Sequence, residues 1–170
     1  MSGQFQTSFF ISTGAANKIG VATHWPVTST LETIAMGIAS LANNLDAQRN
    51  GDDERIFSWH QLDRDGKHFW RALARAMCDA MGDLMRKRDK VSGDELSGAA
   101  LNAMHRHLVE GYQAQGWSHG EEHDADAMTT PTLAPLREVP PDELNRMIRV
   151  SVYAMDVFLY HLRGERTGQC

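Results

Sequence analysis

His119 and His123 stand four positions apart around Gly120, Glu121 and Glu122. The run fits H-x-x-E-H, a spacing in which two imidazoles one helical turn apart hold zinc and a glutamate serves as base. That chemistry needs a helix, because only there do residues i and i+4 share a face. Here the run follows Gly116-Trp117, contains Gly120 and leads into Asp124, Asp126, Thr130, Pro131 and Pro135, a composition that reads as a loop. No downstream glutamate offers itself as third ligand. Metal-dependent hydrolysis is therefore ranked third among the readings of this chain, and no zinc is expected. His119, His123, Asp124 and Asp126 are metal-binding types, but loops rich in His and Asp are more often solvated surface held by side-chain-to-backbone hydrogen bonds.

The remaining reactive residue types lack a local context that would activate them. There is no Gly-rich phosphate loop, nucleophile elbow or Cys-His arrangement. The chain is expected not to be an enzyme and to carry no cofactor. His105 and His107 are two positions apart, so on a helix they point to different faces, and His105 reads as a hydrogen-bonded helix histidine. Trp117 has two readings. It either plugs the loop onto the helices, the commoner role of a lone tryptophan, or walls a cleft for a flat ring, with His119 or Arg137 close by. For an anionic ligand the donors would be Arg137, Arg146 and Arg149, the last two on the first turns of a helix whose dipole attracts negative charge. Against this stands ordinary pairing with Glu138, Asp142 and Glu143.

These residues must be positioned by helices. Leu31, Ile34, Ala35, Ile38, Leu41 and Leu45 recur at threes and fours after Thr28 and Ser29, candidate caps with Glu32, and Asn43, Asn44, Asn50 and Gly51 are expected to end the run. Trp59 and Leu62 precede a second stripe through Phe69, Trp70, Leu73, Met77, Met81 and Leu84, closed by Arg86, Lys87, Arg88 and Lys90. Ser92-Gly93-Asp94-Glu95 is a capping box for a third helix through Leu96, Ala100, Met104, Leu108 and Tyr112, with Gly116 as terminator. Pro140-Pro141-Asp142-Glu143 opens a fourth, carried inward by Leu144, Met147, Ile148, Val152, Met155, Phe158 and Leu162. The expectation is an all-α domain of about four main helices over residues 27–163. Residues 116–135 form a long ordered loop between the last two helices, since Trp117 and Leu133 are costly to leave in water. Residues 1–26 read as an extended arm in which Phe5, Thr7, Phe9 and Ile11 permit a short strand, and residues 164–170 as a flexible tail.

The chain has 170 residues, enough for one domain with a real core, and its 42% hydrophobic and 23% charged content is ordinary for a globular protein. A net charge of −5 argues against a broad nucleic-acid footprint, which needs a basic surface. The two cysteines, Cys78 in a helical run and Cys170 at the end, do not form a disulfide framework. No apolar stretch is long enough to span a membrane, and the N-terminus has no signal-peptide pattern, so a cytoplasmic setting is expected.

Gly116-Trp117-Ser118-His119-Gly120, then Asp124, then Thr130-Pro131-Thr132-Leu133-Ala134-Pro135, then Val139-Pro140 before a Glu-containing helix, is an ordered series that resembles the ryanodine-receptor repeat (RyR) domain. His105 matches the histidine of that family's first helix, and the resemblance covers about residues 99–163. The chain differs from the family pattern at Leu108, His119, His123, Thr130 and Leu136. The resemblance implies a helical binding module for a small, nucleotide-derived ligand. Its site would draw on Trp117, His119, His123, Asp124, Pro131, Arg137, Arg146 and His105. A reading of a different class is a protein-interaction or assembly module, in which the N-terminal arm, with its three phenylalanines, covers a second copy.

Overall fold

The computed structural model describes residues 10–12, 28–49, 51 and 58–167. Most of the arm, with Phe5, Thr7 and Phe9, and the end of the tail lie outside them. Four α-helices dominate the described residues: α1 (Thr28–Arg49), α2 (Arg64–Lys87), α3 (Gly93–Ala114) and α4 (Pro141–Thr167). The fold is all-α, as the periodicity predicts. Each helix packs on the next, α4 closes onto α1, and α2 meets α4 across the centre.

The buried faces follow the apolar stripes, except that in α4 Ile148, expected to point inward, is 40% exposed while Val150 is fully buried. Ile34 and Ile38 of α1, Leu73, Met77 and Met81 of α2, Leu96 and Met104 of α3, and Met147, Val150, Met155 and Phe158 of α4 are fully buried and form one cluster. Burying a large apolar side chain contributes about 1.5–3 kcal/mol, so this cluster, and not helix propensity, holds the elements together. At one crossing the approach is unusually close. A Cβ built on Gly37 of α1 would lie 2.0 Å from the Tyr153 hydroxyl oxygen of α4, so the phenol occupies the space that a side chain would take.

The helix ends show where local chemistry acts. Ser92 caps α3 by accepting from the Glu95 N–H, and the Glu95 carboxylate accepts from the Ser92 N–H in return, the expected capping box. That hydrogen bond, with the Arg88 guanidinium, holds the Glu95 carboxyl below the usual carboxylate range. Pro141 is the first residue of α4, where a missing N–H costs nothing. Asp63, which the sequence reading passed over as a cap, starts α2 by accepting from the Gly66 N–H at 2.7 Å. Two expectations for α1 are corrected. Asn43 and Asn44 do not end it, because Asn43 donates back to the Ala39 carbonyl and the helix runs on to Arg49. The Glu32 carboxylate does not serve a capping box: Arg71 of α2 grips it at 2.5 and 2.7 Å while lying 5.6 Å from the Trp59 ring centre. That hydrogen bond holds the Glu32 carboxyl below its usual range.

Two short strand pairs complete the structure. β1 (Phe10–Ser12) runs antiparallel to β2 (Lys90–Ser92), with Ile11 opposite Val91, so part of the arm docks on the α2–α3 connection. β3 (Ser118–His119) and β4 (Thr129–Thr130) pair in parallel inside the α3–α4 loop. No helix among the described residues is long and apolar enough to cross a membrane.

Candidate functional site

The loop after α3 is built by its first two residues. Gly116 has φ +84°, a left-handed conformation that costs glycine nothing. The Gly116 N–H donates to the Gln113 carbonyl at 3.0 Å, and the Trp117 N–H reaches back to the Tyr112 carbonyl, also at 3.0 Å. This is the Schellman pairing, which closes the helix and brings residue C″ against residue C3. Here those residues are Trp117 and Tyr112, and their ring centres are 5.0 Å apart with planes tilted by 58°.

The chain then folds back on itself. Asp124 and Thr129 exchange both backbone hydrogen bonds at 2.9 Å, making a tight turn over residues 125–128. Asp124 Oδ1 accepts from the N–H groups of Asp126 and Ala127 and fixes that turn. Met128 closes it with φ 54°, a conformation unusual outside glycine. On its other side Thr129 lies beside Ser118 in the parallel pair. Gly120 passes so close that a Cβ there would lie 2.6 Å from the Thr129 Cβ. The outcome is an ordered loop that sets His123 over Trp117, the two rings stacked at 5.0 Å with an angle of 27°. His123 also stands 6.2 Å from the Tyr112 ring centre, edge-on. Trp117 is partly exposed and His123 exposed.

A charged knot joins α4 to α1. Arg146 of α4 donates to Glu143 at 2.7 and 3.3 Å and to Asp46 of α1 at 3.2 Å. Its side chain is 19% exposed and that of Glu143 only 8%. Burial works against the Arg146 charge, but the hydrogen bond to Glu143 and the pull of Glu143 and Asp46 outweigh it and raise its pKa above the ordinary value. Burial also pushes the Tyr112 hydroxyl up, opposed by Arg146 and assisted by Glu143 and Asp46. Tyr112 therefore links the ring cluster to the knot.

The other site residues fall as follows. His105 sits on α3 with its Nε2 at 3.1 and 3.0 Å from the carbonyl oxygens of Thr132 and Ala134. Two carbonyl partners require that this nitrogen carry the hydrogen, so His105 clips the loop's return to the helix. Pro131 is buried at the head of a 3-10 turn (Pro131–Leu133), not held extended; Pro135, φ −51° and ψ 142°, is the extended one. Arg137 is 84% exposed and, among the described residues, pairs only with the adjacent Glu138 at 3.2 Å. His119 is exposed in β3, and Arg149 is exposed on α4. Because residues 119–123 are not helical, the spacing of His119 and His123 does not place both imidazoles on one helix face. Among the described residues no group of three or more His, Cys, Asp or Glu could hold a metal ion. The structure thus brings Trp117 and His123 together, and the charge of Arg146 acts on the Tyr112 hydroxyl. Tyr112, Asp46 and Glu143 were not singled out for the site from sequence. Tyr112 left a signal four residues ahead of a helix-ending glycine, and Glu143, named as a pairing partner for the arginines, does pair with Arg146 three residues on; Asp46 left none.

Comparison with family models, with curated proteins and with solved structures finds no match to this chain.

Proposed function

We propose that this chain is a non-enzymatic binding module of the RyR-like kind that its loop motif resembles, taking a small, planar, nucleotide-derived molecule at the loop after α3. The observation that carries this reading is the Trp117 ring, held by backbone hydrogen bonds at a helix end, partly exposed, and already stacked with another flat ring, that of His123. A preorganised aromatic face binds planar rings without the entropic cost of ordering a loop. Of the arginines expected to serve a charged group, Arg146 is committed to Glu143 and Asp46, whereas Arg137 and Arg149 are exposed. A cytoplasmic location and the absence of nucleic-acid and membrane partners belong to the same proposal.

Calorimetry with a panel of nucleosides and nucleotides tests it. Binding is expected to be lost in Trp117→Ala and partly kept in Trp117→Phe. A folded Trp117→Ala protein that binds like the wild type would remove the tryptophan from the site.

A second reading is an assembly module, in which another copy would cover the exposed Tyr160 of α4. Native mass spectrometry separates the two: a retained small molecule supports the first, a multimer without one the second.

A further inference from the structure

The ring bound at Trp117 has a specific competitor inside the chain, and the loop's charge restricts what can replace it. The stacked face of Trp117 is taken by the His123 imidazole at 5.0 Å. No second ring fits between planes at that separation, so a ligand that uses this face must displace the imidazole. Glu121, Glu122 and Asp126 are exposed and have no ion pair among the described residues. No Lys or Arg occurs between Arg106 and Arg137, and Arg137 pairs with Glu138, so no basic side chain of residues 107–136 offsets those charges. Such a surface repels a phosphate and attracts a cation, and the face of an indole favours positive charge as well.

We infer that His123 is a built-in occupant of the Trp117 face, and that the ligand which displaces it is a planar heteroaromatic cation, of the kind made by alkylating a nucleobase ring nitrogen. This rests on the binding-module reading and narrows its ligand. The imidazole covers the indole in the empty protein and swings out by side-chain rotation, which exchanges one stacked ring for another. The loop backbone, fixed by the Asp124–Thr129 pairing, need not move.

The test uses the intact chain and three probes: 1-methyladenosine, which is charged at pH 7, neutral adenosine, and adenosine monophosphate. The cation is expected to bind at least tenfold more tightly than either of the others, with the difference shrinking as salt rises. His123→Ala should tighten binding of the cation at least threefold by removing the competitor. Glu121→Gln, Glu122→Gln and Asp126→Asn together should abolish the preference for charge, whereas Asp65→Asn, Asp89→Asn and Asp94→Asn, equal in charge but outside the loop, should leave it intact. Trp117→Phe, which keeps a ring should Trp117→Ala fail to fold, is expected to weaken but retain binding. Trp117-dependent binding of adenosine monophosphate as tight as that of the cation would overturn the inference and leave the wider reading standing. Weaker binding in His123→Ala would likewise overturn it, because His123 would then be a contact and not a competitor. Absence of Trp117-dependent binding for all three probes would overturn the inference, whereas the wider reading is decided by the full panel of nucleosides and nucleotides.

Discussion

Asp46 and Arg146 are 100 residues apart in sequence and 3.2 Å apart in the fold. The contact ties the end of α1 to the start of α4, and the same guanidinium also bonds the buried Glu143 carboxylate. Removing one partner of a buried pair takes away compensation from the other charge, at up to about 3–5 kcal/mol for full burial. Arg146→Ala is therefore expected to lower stability toward the lower end of that range, because Asp46 faces solvent. Arg146→Met with Glu143→Gln should recover most of the loss. Thermal denaturation of the single and double variants checks this, and it guards against reading an unfolded Arg146 variant as a loss of ligand contact.

His105→Phe should loosen the loop's return without unfolding the helices. It removes the only donor shown to reach the Thr132 and Ala134 carbonyls, and an orphaned buried acceptor costs about 1–3 kcal/mol. Hydrogen exchange at residues 129–134 is expected to accelerate more than in α2. His105→Gln, which keeps an N–H on a shorter arm, should lie between wild type and the phenylalanine variant.

At Gly120 the expected cost is steric. Gly120→Ala puts a methyl 2.6 Å from the Thr129 Cβ and should destabilise the loop by about 1–3 kcal/mol. Adding Thr129→Ala is expected not to rescue it, because the clashing Cβ remains; adding Thr129→Gly should. Nuclear magnetic resonance shifts of the Ser118 and Thr130 amides would report the outcome.

His107 on α3 gives the stability a pH dependence. Burial lowers its pKa from the ordinary 6.5, with Glu110 opposing the shift. The unfolded chain then binds the proton more readily than the folded one, so the stabilising contribution is complete above pH 6.5, decreases as pH drops below that value, and is exhausted once pH passes the folded pKa. His107→Leu should flatten this part of the acid limb in denaturant titrations between pH 7.5 and 5. An unchanged slope would show that the limb belongs to other groups.

The helices were legible because each needs one apolar face, and a period of 3.6 in residues such as Leu73, Met77 and Met81 is written along the chain. The Ser92–Glu95 box and Gly116 were legible because caps act over three or four residues. The two-residue strands were not, since Ser118-His119 and Thr129-Thr130 are too short to show alternation. Asp46 and Arg146 could not be matched from sequence either, because any of several carboxylates would suit the arginine until packing chooses one. Trp117 and His123 were both picked out, but not the stack between them: it depends on a turn closed by Met128 with positive φ, a conformation no local signal announced.

Gly37 and Tyr153 are set to change together over evolutionary time. With the phenol oxygen 2.0 Å from where a Cβ would stand, a substitution at position 37 is tolerated only after the residue at 153 has shrunk, and a smaller residue at 153 leaves a void that a side chain at 37 can fill. The order of those two steps is constrained, because the glycine must outlast the tyrosine. In any lineage of this protein, sequences with a side chain at position 37 should therefore lack a ring at position 153.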